Sequence, residues 1–272
     1  MTTTREITID DPMTQLSRLQ EWAPGRESVL GPHMSALAAW VDSKFLEFAI
    51  QAGAQELPVP RFISRSVLER AGYFESFPAS IVEESDGGCM PPAACYHCYA
   101  KLAGTSLHEP GAWTCIARCH RNEDKEEPGR LRAFAMREIV LVGSAAWVRE
   151  QRQEWMDRIL AFAQSLHLVV QLDAATDSFF AGGAARGRKL VQQIKGLKFE
   201  LRAHMDATGT PLAISSFNLH ETFFSRRFEF RLADGSDAHS GCVAFGLERW
   251  ALVLALTLGP AQAFRLAEQE QI

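Results

Sequence analysis

The sequence predicts an α+β fold, a mainly antiparallel sheet flanked by helices in one domain. Strand-like stretches follow one another at hairpin-length spacing, above all across Ala112 to Val142. Helical patterns are set between them in blocks rather than in strict alternation. No proline- or serine-rich linker interrupts the 272 residues, and 47% hydrophobic content is ample for a core. With 28 basic and 33 acidic residues the formal net charge is −5, so any cationic site must be local and wholesale binding to nucleic acid is excluded. No apolar run approaches a membrane span, and Met1 to Asp11 is too polar for a secretory signal. Six cysteines in such a chain are expected as reduced thiols of a cytoplasmic protein.

The first 32 residues are punctuated by Pro12, Pro24, Gly25, Gly31 and Pro32. From Met34 to Ala52, Leu37, Trp40, Val41, Phe45, Phe48 and Ala49 recur at helical spacing. Leu57-Pro-Val-Pro-Arg-Phe62 is too proline-rich for a central strand and is expected at an edge or crossover. Ser66-Val-Leu-Glu69 has the form of a capping box, with Gly72 as the stop. A strand is expected around Ile81 and Val82. Ser144 can cap a helix striped by Val148, Trp155, Ile159, Phe162 and Leu166. A basic helix is expected over Arg186 to Lys195. Strands are expected at Lys198 to Arg202, Leu212 to Ser216 and Arg227 to Arg231. After the Asp234-Gly235 turn, a strand Gly241 to Phe245 runs into a helix from Leu247 to Leu258.

The chemistry concentrates in the central hairpin. Alternation puts Arg121 with Glu123, and Arg132 with Phe134, Met136 and Glu138. A strand that only supported a core would carry aliphatic residues there. Guanidinium groups fork onto phosphate oxygens and a flat ring stacks on a base, so the face suits a nucleotide. A solvated charged hairpin is the plainer alternative.

Three pieces in order resemble the signature motifs of class II aminoacyl-tRNA synthetase catalytic domains: Gly72-Tyr-Phe-Glu-Ser-Phe-Pro78; Arg121-Asn-Glu123 with Arg132-Ala-Phe134 and Glu138; and Phe245-Gly-Leu-Glu-Arg249. The resemblance spans residues 60 to 260. It implies residues 1–59 as an N-terminal helical and irregular segment before a catalytic domain over 60–272, with a helical insertion at about 144–195. It implies that the first motif builds a homodimer interface. Arg121 would hold the ATP α-phosphate and a substrate carboxylate, and Arg249 would cover the adenine and reach the γ-phosphate. These two are the catalytic pair. Glu123, Arg130, Leu131 and Arg132 would line the nucleotide, and Phe134 would stack on the ring. Such adenylate chemistry works by positioning and charge neutralisation, which fits the lack of a Ser-His-Asp or Cys-His pair.

Ala94-Cys95-Tyr-His-Cys98-Tyr, Met136-Arg-Glu138-Ile-Val and Gly241-Cys242-Val-Ala-Phe-Gly are similar, more narrowly, to the zinc core of archaeal-type seryl-tRNA synthetases. That implies Zn²⁺ held by Cys95, Glu138 and Cys242, with the substrate amine at a fourth position. The residues alone leave Cys95 and Cys98 open, since together they form a CxxC; the resemblance selects Cys95. Cys89, Cys115 and Cys119 read as small buried hydrophobes. His97 and His120 read as ordinary surface or core histidines. Lys198 would face the adenylate as a substrate-binding residue. Ile214-Ser215-Ser216-Phe-Asn218 resembles a stretch whose preceding glutamate helps hold Mg²⁺. Here that position is Ala213, which leaves Ser215 or Ser216 as lesser contributors.

The sequence before the first motif is short and not strongly basic, whereas a tRNA demands a long cationic surface, so a tRNA partner is not expected. A catalytic domain of this kind without a tRNA module resembles the amino acid:[carrier protein] ligases. The implied reaction activates a small amino acid, of glycine or alanine type, and transfers it to the phosphopantetheine thiol of an acyl or peptidyl carrier protein. Arg186-Gly-Arg188-Lys189 is a candidate docking patch for an acidic carrier. The competing readings are a non-catalytic synthetase paralogue that senses or scaffolds, and an adenylating ligase with tRNA or another small acceptor.

Overall fold

A computed structural model describes residues 30–77, 81–122, 129–175, 196–205 and 211–268. Helix α1 (Pro32–Gln51) opens on a proline, which the first helical position favours because its amide has no intrahelical partner. Strands β1 (Gln55–Glu56) and β2 (Ile63–Ser64) lead into helices α2 (Arg65–Ala71) and α3 (Tyr73–Ser76). Strand β3 (Gly88–Cys89), helix α4 (Cys95–Leu102) and strand β4 (Ser106–Leu107) follow. The long strands β5 (Gly111–His120) and β6 (Ala133–Gly143) form the central hairpin, and helix α5 (Ala145–Ser165) comes next. Then come β7 (Val170–Ala174), β8 (Lys198–Ala203), β9 (Leu212–Glu221) and helix α6 (Phe223–Phe228). The described residues end with β10 (Arg231–Leu232), β11 (His239–Gly246), α7 (Leu247–Leu258) and α8 (Pro260–Glu268).

Seven of these strands form one sheet in the order β1-β5-β6-β11-β9-β8-β7, antiparallel except for β1 against β5. Alternation sorts its side chains between two layers. Ile139 and Leu141 of β6, with Val243 and Phe245 of β11, pack under α1, α5, α7 and α8. Phe45 of α1 stacks on Phe245 with ring centroids 3.9 Å apart, and meets Trp250 edge-on at 5.1 Å. Met136, Val140, Cys242 and Ala244 face the other way, toward the short helices α2, α4 and α6. That second layer covers the sheet incompletely, and the site lies there. No helix among the described residues is long and apolar enough to cross a membrane.

Three local expectations need correction. Arg227 to Arg231 is not a strand: α6 runs to Phe228, and Glu229 turns at φ 58° before the two-residue β10. The turn lets Phe224, Phe228 and Phe230 all bury against Tyr99, which no strand alternation would allow. Ile81 and Val82 form no strand; only Glu83 makes an isolated bridge, to Cys89. The cap of α2 is Ser64, whose Oγ accepts the Ser66 amide at 3.3 Å, so the capping residue precedes the expected one by two. Gly72 does stop that helix, in the left-handed conformation. The expected Arg186–Lys195 helix lies outside the described residues.

One ion pair ties α1 to the sheet. Arg137 is 1% exposed; its Nε and Nη2 donate to the two carboxylate oxygens of Asp42 at 2.6 and 3.0 Å, and Nη1 donates to Thr114 Oγ1 at 3.3 Å. Removing the carboxylate leaves the buried cation with only the half-exposed Glu56, 3.7 Å from Nη1, as a counter-charge among the described residues. Asp42→Ala is therefore expected to lower the unfolding free energy by about 3 kcal/mol, read by urea denaturation.

His97 on α4 supplies a second test. Burial lowers its pKa from 6.5 to about 4, so the folded protein holds it neutral while the unfolded chain takes a proton. Stability from this group is fully present above 6.5 and is lost as pH falls toward 4. His97→Gln is expected to lose less stability than the unmodified chain on acidification, by about 2 kcal/mol between about pH 7 and about pH 5.

Candidate active site

Glu138 stands mid-way along β6, 1% exposed, in register with Cys115 of β5 and Ala244 of β11. Its Oε1 accepts the backbone N–H of Cys95, the first residue of α4, at 3.0 Å. That bond sets the start of the helix against the strand. Cys242 lies on β11, two residues from Ala244 on the same face. One sulfur each from Cys95 and Cys242 and one carboxylate oxygen of Glu138 lie within 4.8 Å of one another, all buried.

Burial raises the pKa of all three groups, while their mutual contacts act in both directions. Cys95 is held well above the usual thiol range by its contact with Cys242 and then by burial. The Cys95 contact lowers Cys242, but burial and the Glu138 charge outweigh it and push Cys242 up to about 11. Burial raises Glu138, against hydrogen bonds from Cys242 and Cys95. Three acids that cannot all be anions alone can be so around a divalent cation. The set fits a tetrahedral ion such as Zn²⁺ with a fourth position left to another ligand.

Cys98 is turned elsewhere: its sulfur lies 3.6 Å from that of Cys115, whose S–H points to the Ala94 carbonyl. All six cysteines are free and buried. His97 and His120 do not join the cluster.

The cluster opens into a cavity of about 330 Å³ lined also by Arg121, Gly129, Arg130, Leu131, Phe134, Lys198, Glu200, Ser215, Ser216 and Arg249. Arg121 sits one residue beyond the end of β5. Its amide donates to the Arg132 carbonyl at 2.8 Å and its Nε to the Pro92 carbonyl at 2.8 Å, with the guanidinium 5.4 Å from the Phe134 ring centre. Arg249, in the first turn of α7, donates from Nε to the Gly129 carbonyl and from Nη1 to the Ala213 carbonyl, both at 2.9 Å. Backbone carbonyls thus help to position both guanidiniums at the cavity wall. Lys198 Nζ pairs with Glu200 at 3.1 Å. Ser215 Oγ accepts the Trp250 indole N–H at 3.0 Å. Arg132 is half-buried and is not among the cavity-lining residues. Glu123 lies outside the described residues.

Sequence reasoning missed three groups. Glu248, buried, accepts the Ala135 amide on both oxygens at 2.8 and 2.9 Å and Arg118 at 3.1 Å, joining α7 to β6 beside Phe134. Asn218 directs its Nδ2 at Cys242 Sγ, 3.4 Å away. His220 sets Nε2 3.8 Å from the same sulfur and Nδ1 2.9 Å from the Tyr99 hydroxyl. The available signal was Ser216, Asn218 and His220 at every second position of a strand that alternates them with Phe217 and Leu219.

No protein-family model matches the chain. The chain is 33% identical over 239 residues to amino acid–[acyl-carrier-protein] ligase 1 of Bradyrhizobium diazoefficiens, covering 77% of this chain and 73% of that protein. It is 22% identical over 297 residues to a type-2 serine–tRNA ligase of Methanocaldococcus jannaschii, covering 90% of this chain and 56% of that one. The crystal structure of the seryl-tRNA synthetase from Pyrococcus horikoshii complexed with ATP matches with a TM-score of 0.76 at 18% identity, over 93% of this chain and 60% of that chain. This likeness bears on the fold and agrees with the expected α+β architecture. By identity and shared length together, the chain belongs to the amino acid–[acyl-carrier-protein] ligases.

Proposed function

We propose that this chain activates a small amino acid with ATP as an aminoacyl-adenylate and transfers it to the phosphopantetheine thiol of a carrier protein. One observation supports the reading most: the Cys95–Glu138–Cys242 cluster and the Arg121 and Arg249 guanidiniums border a single cavity. The relative named above, a carrier-protein ligase, supports the acceptor.

Cys95, Glu138 and Cys242 would hold Zn²⁺, which when bound supplies a Lewis-acid position for a neutral amine and so separates amino acids from plain carboxylic acids. Arg121 would orient the substrate carboxylate against the α-phosphate. Phe134 and Arg249 would sandwich the adenine, with Arg249 reaching the γ-phosphate. The backbone at Arg130 and Leu131 would follow the adenine edge, Lys198 would face the adenylate, and Glu123 and Arg132 would complete the nucleotide contacts. Ser215 or Ser216 would contribute to Mg²⁺, since Ala213 offers no carboxylate. A carboxylate oxygen attacks the α-phosphorus and pyrophosphate leaves. The carrier's thiol then attacks the acyl carbon, AMP leaves, and the sulfur proton passes to solvent. The residues contribute positioning and charge neutralisation, the terms that dominate phosphoryl chemistry. The working unit is a homodimer in this reading.

ATP–pyrophosphate exchange run with glycine, alanine and larger amino acids tests the first step. Exchange is expected with at least one small amino acid and should vanish with a zinc chelator; silence with every small amino acid, zinc present, rejects the proposal. Cys242→Ala is expected to lose bound zinc and exchange together, and stoichiometric metal in that variant would remove Cys242 from the site. Arg249→Ala is expected to abolish ATP–Mg²⁺ binding seen by calorimetry. Presenting the charged enzyme with a purified holo carrier protein or with tRNA identifies the acceptor, and the thiol is expected to take the label.

A further inference from the structure

Asn218 is in register with Cys242 on the neighbouring strand and is 7% exposed, yet it borders the cavity. Its amide nitrogen is committed: Nδ2 donates to Ser216 Oγ at 3.2 Å and points to Cys242 Sγ at 3.4 Å. Its carbonyl oxygen Oδ1 is buried without a protein donor. Buried acceptors are rarely left so.

Flipping the amide does not resolve this. A metal-bound cysteine sulfur is a thiolate, which accepts hydrogen bonds and cannot donate them. With Cys242 in that state, the NH₂ must face the sulfur, and Oδ1 is left as an acceptor at the cluster's edge. The neighbouring polar residue on the same face, His220, meets Tyr99 with one ring nitrogen and faces the Cys242 sulfur with the other. Asn218 Oδ1 therefore calls for a hydrogen-bond donor brought by the substrate.

We propose that Asn218 Oδ1 accepts an N–H of the substrate's α-amine, making Asn218 a specificity residue that selects amines retaining an N–H over N,N-dialkylated ones. The proposal rests on the amino-acid-activating reading above. An amine that gives its lone pair to a metal keeps two N–H donors when primary and one when secondary. An N,N-dimethylated amine keeps none and would leave the buried acceptor unsatisfied, which is where a polar site discriminates most strongly.

The test is a cycle that alters enzyme and substrate together. Glycine, N,N-dimethylglycine, L-alanine and L-serine are compared by pyrophosphate exchange on the unmodified chain and on Asn218→Leu, which keeps the side-chain shape. Dissociation constants of the matching sulfamoyl adenylate analogues are measured in parallel, and zinc content is checked in each protein. The unmodified chain is expected to prefer glycine over N,N-dimethylglycine by about 100-fold, and the variant by about 10-fold or less, in both binding and exchange. The serine-to-alanine ratio should stay unchanged. Should Asn218→Leu lose zinc, Asn218→Ala is used, with the same result expected. An undiminished preference for glycine in the variant overturns the proposal, as does a change confined to the serine-to-alanine ratio, which would move the donor to the side chain. Silence of the unmodified chain with all four amino acids is a different failure: it removes the activating reading itself, and this assignment with it.

Discussion

The hydrogen bond from the Cys95 amide to Glu138 is the joint on which the site depends. A carboxylate in the middle of a central strand is costly to bury, and burial does raise its pKa. Placed at the first residue of α4, it meets an amide that the helix itself leaves without a partner, at the end where the backbone dipole favours negative charge. The same bond that offsets the carboxylate's burial delivers the Cys95 side chain to Cys242. Helix and strand are thereby brought together at the point where a metal ion would need both.

Sheet alternation does the rest of the sorting. Residues of β6 and β11 that face α1 and α7 are packed as a closed core, so the opposite faces of the same strands are rigidly presented. Glu248 extends this control beyond the sheet. By gripping Ala135 it fixes the first turn of α7, and Arg249 in that turn is then aimed by the Gly129 and Ala213 carbonyls. Hydrogen bonds to fixed backbone carbonyls thus determine where these guanidiniums stand at the cavity wall.

Much of this was legible in the sequence because it obeys local rules. The central hairpin announced itself by alternation, α7 by a glycine followed by an apolar helical run, and the cluster residues by motif resemblance. The errors arose where tertiary packing overrode a local pattern. Arg-Phe-Glu-Phe-Arg alternates like a strand, but Tyr99 gathers its phenylalanines from a turn. Ser64 and Ser66 both satisfy capping chemistry, and only the helix's position on the sheet decides between them. The roles of Asn218, His220 and Glu248 could not be read because each depends on a partner from a distant segment. No spacing within one strand or helix reveals such a partner.

The stacking of Phe45 on Phe245 has a consequence for how the protein is made. Helix α1 leaves the ribosome long before the strand that completes its contact, since the two rings are far apart in the chain. Until then the apolar face of α1 has only part of its cover, such as Phe162 of α5, and Cys242 of the cluster is missing. Completion of the centre therefore waits on contacts that span most of the chain, and a nascent chain halted before β11 presents an incompletely covered apolar surface.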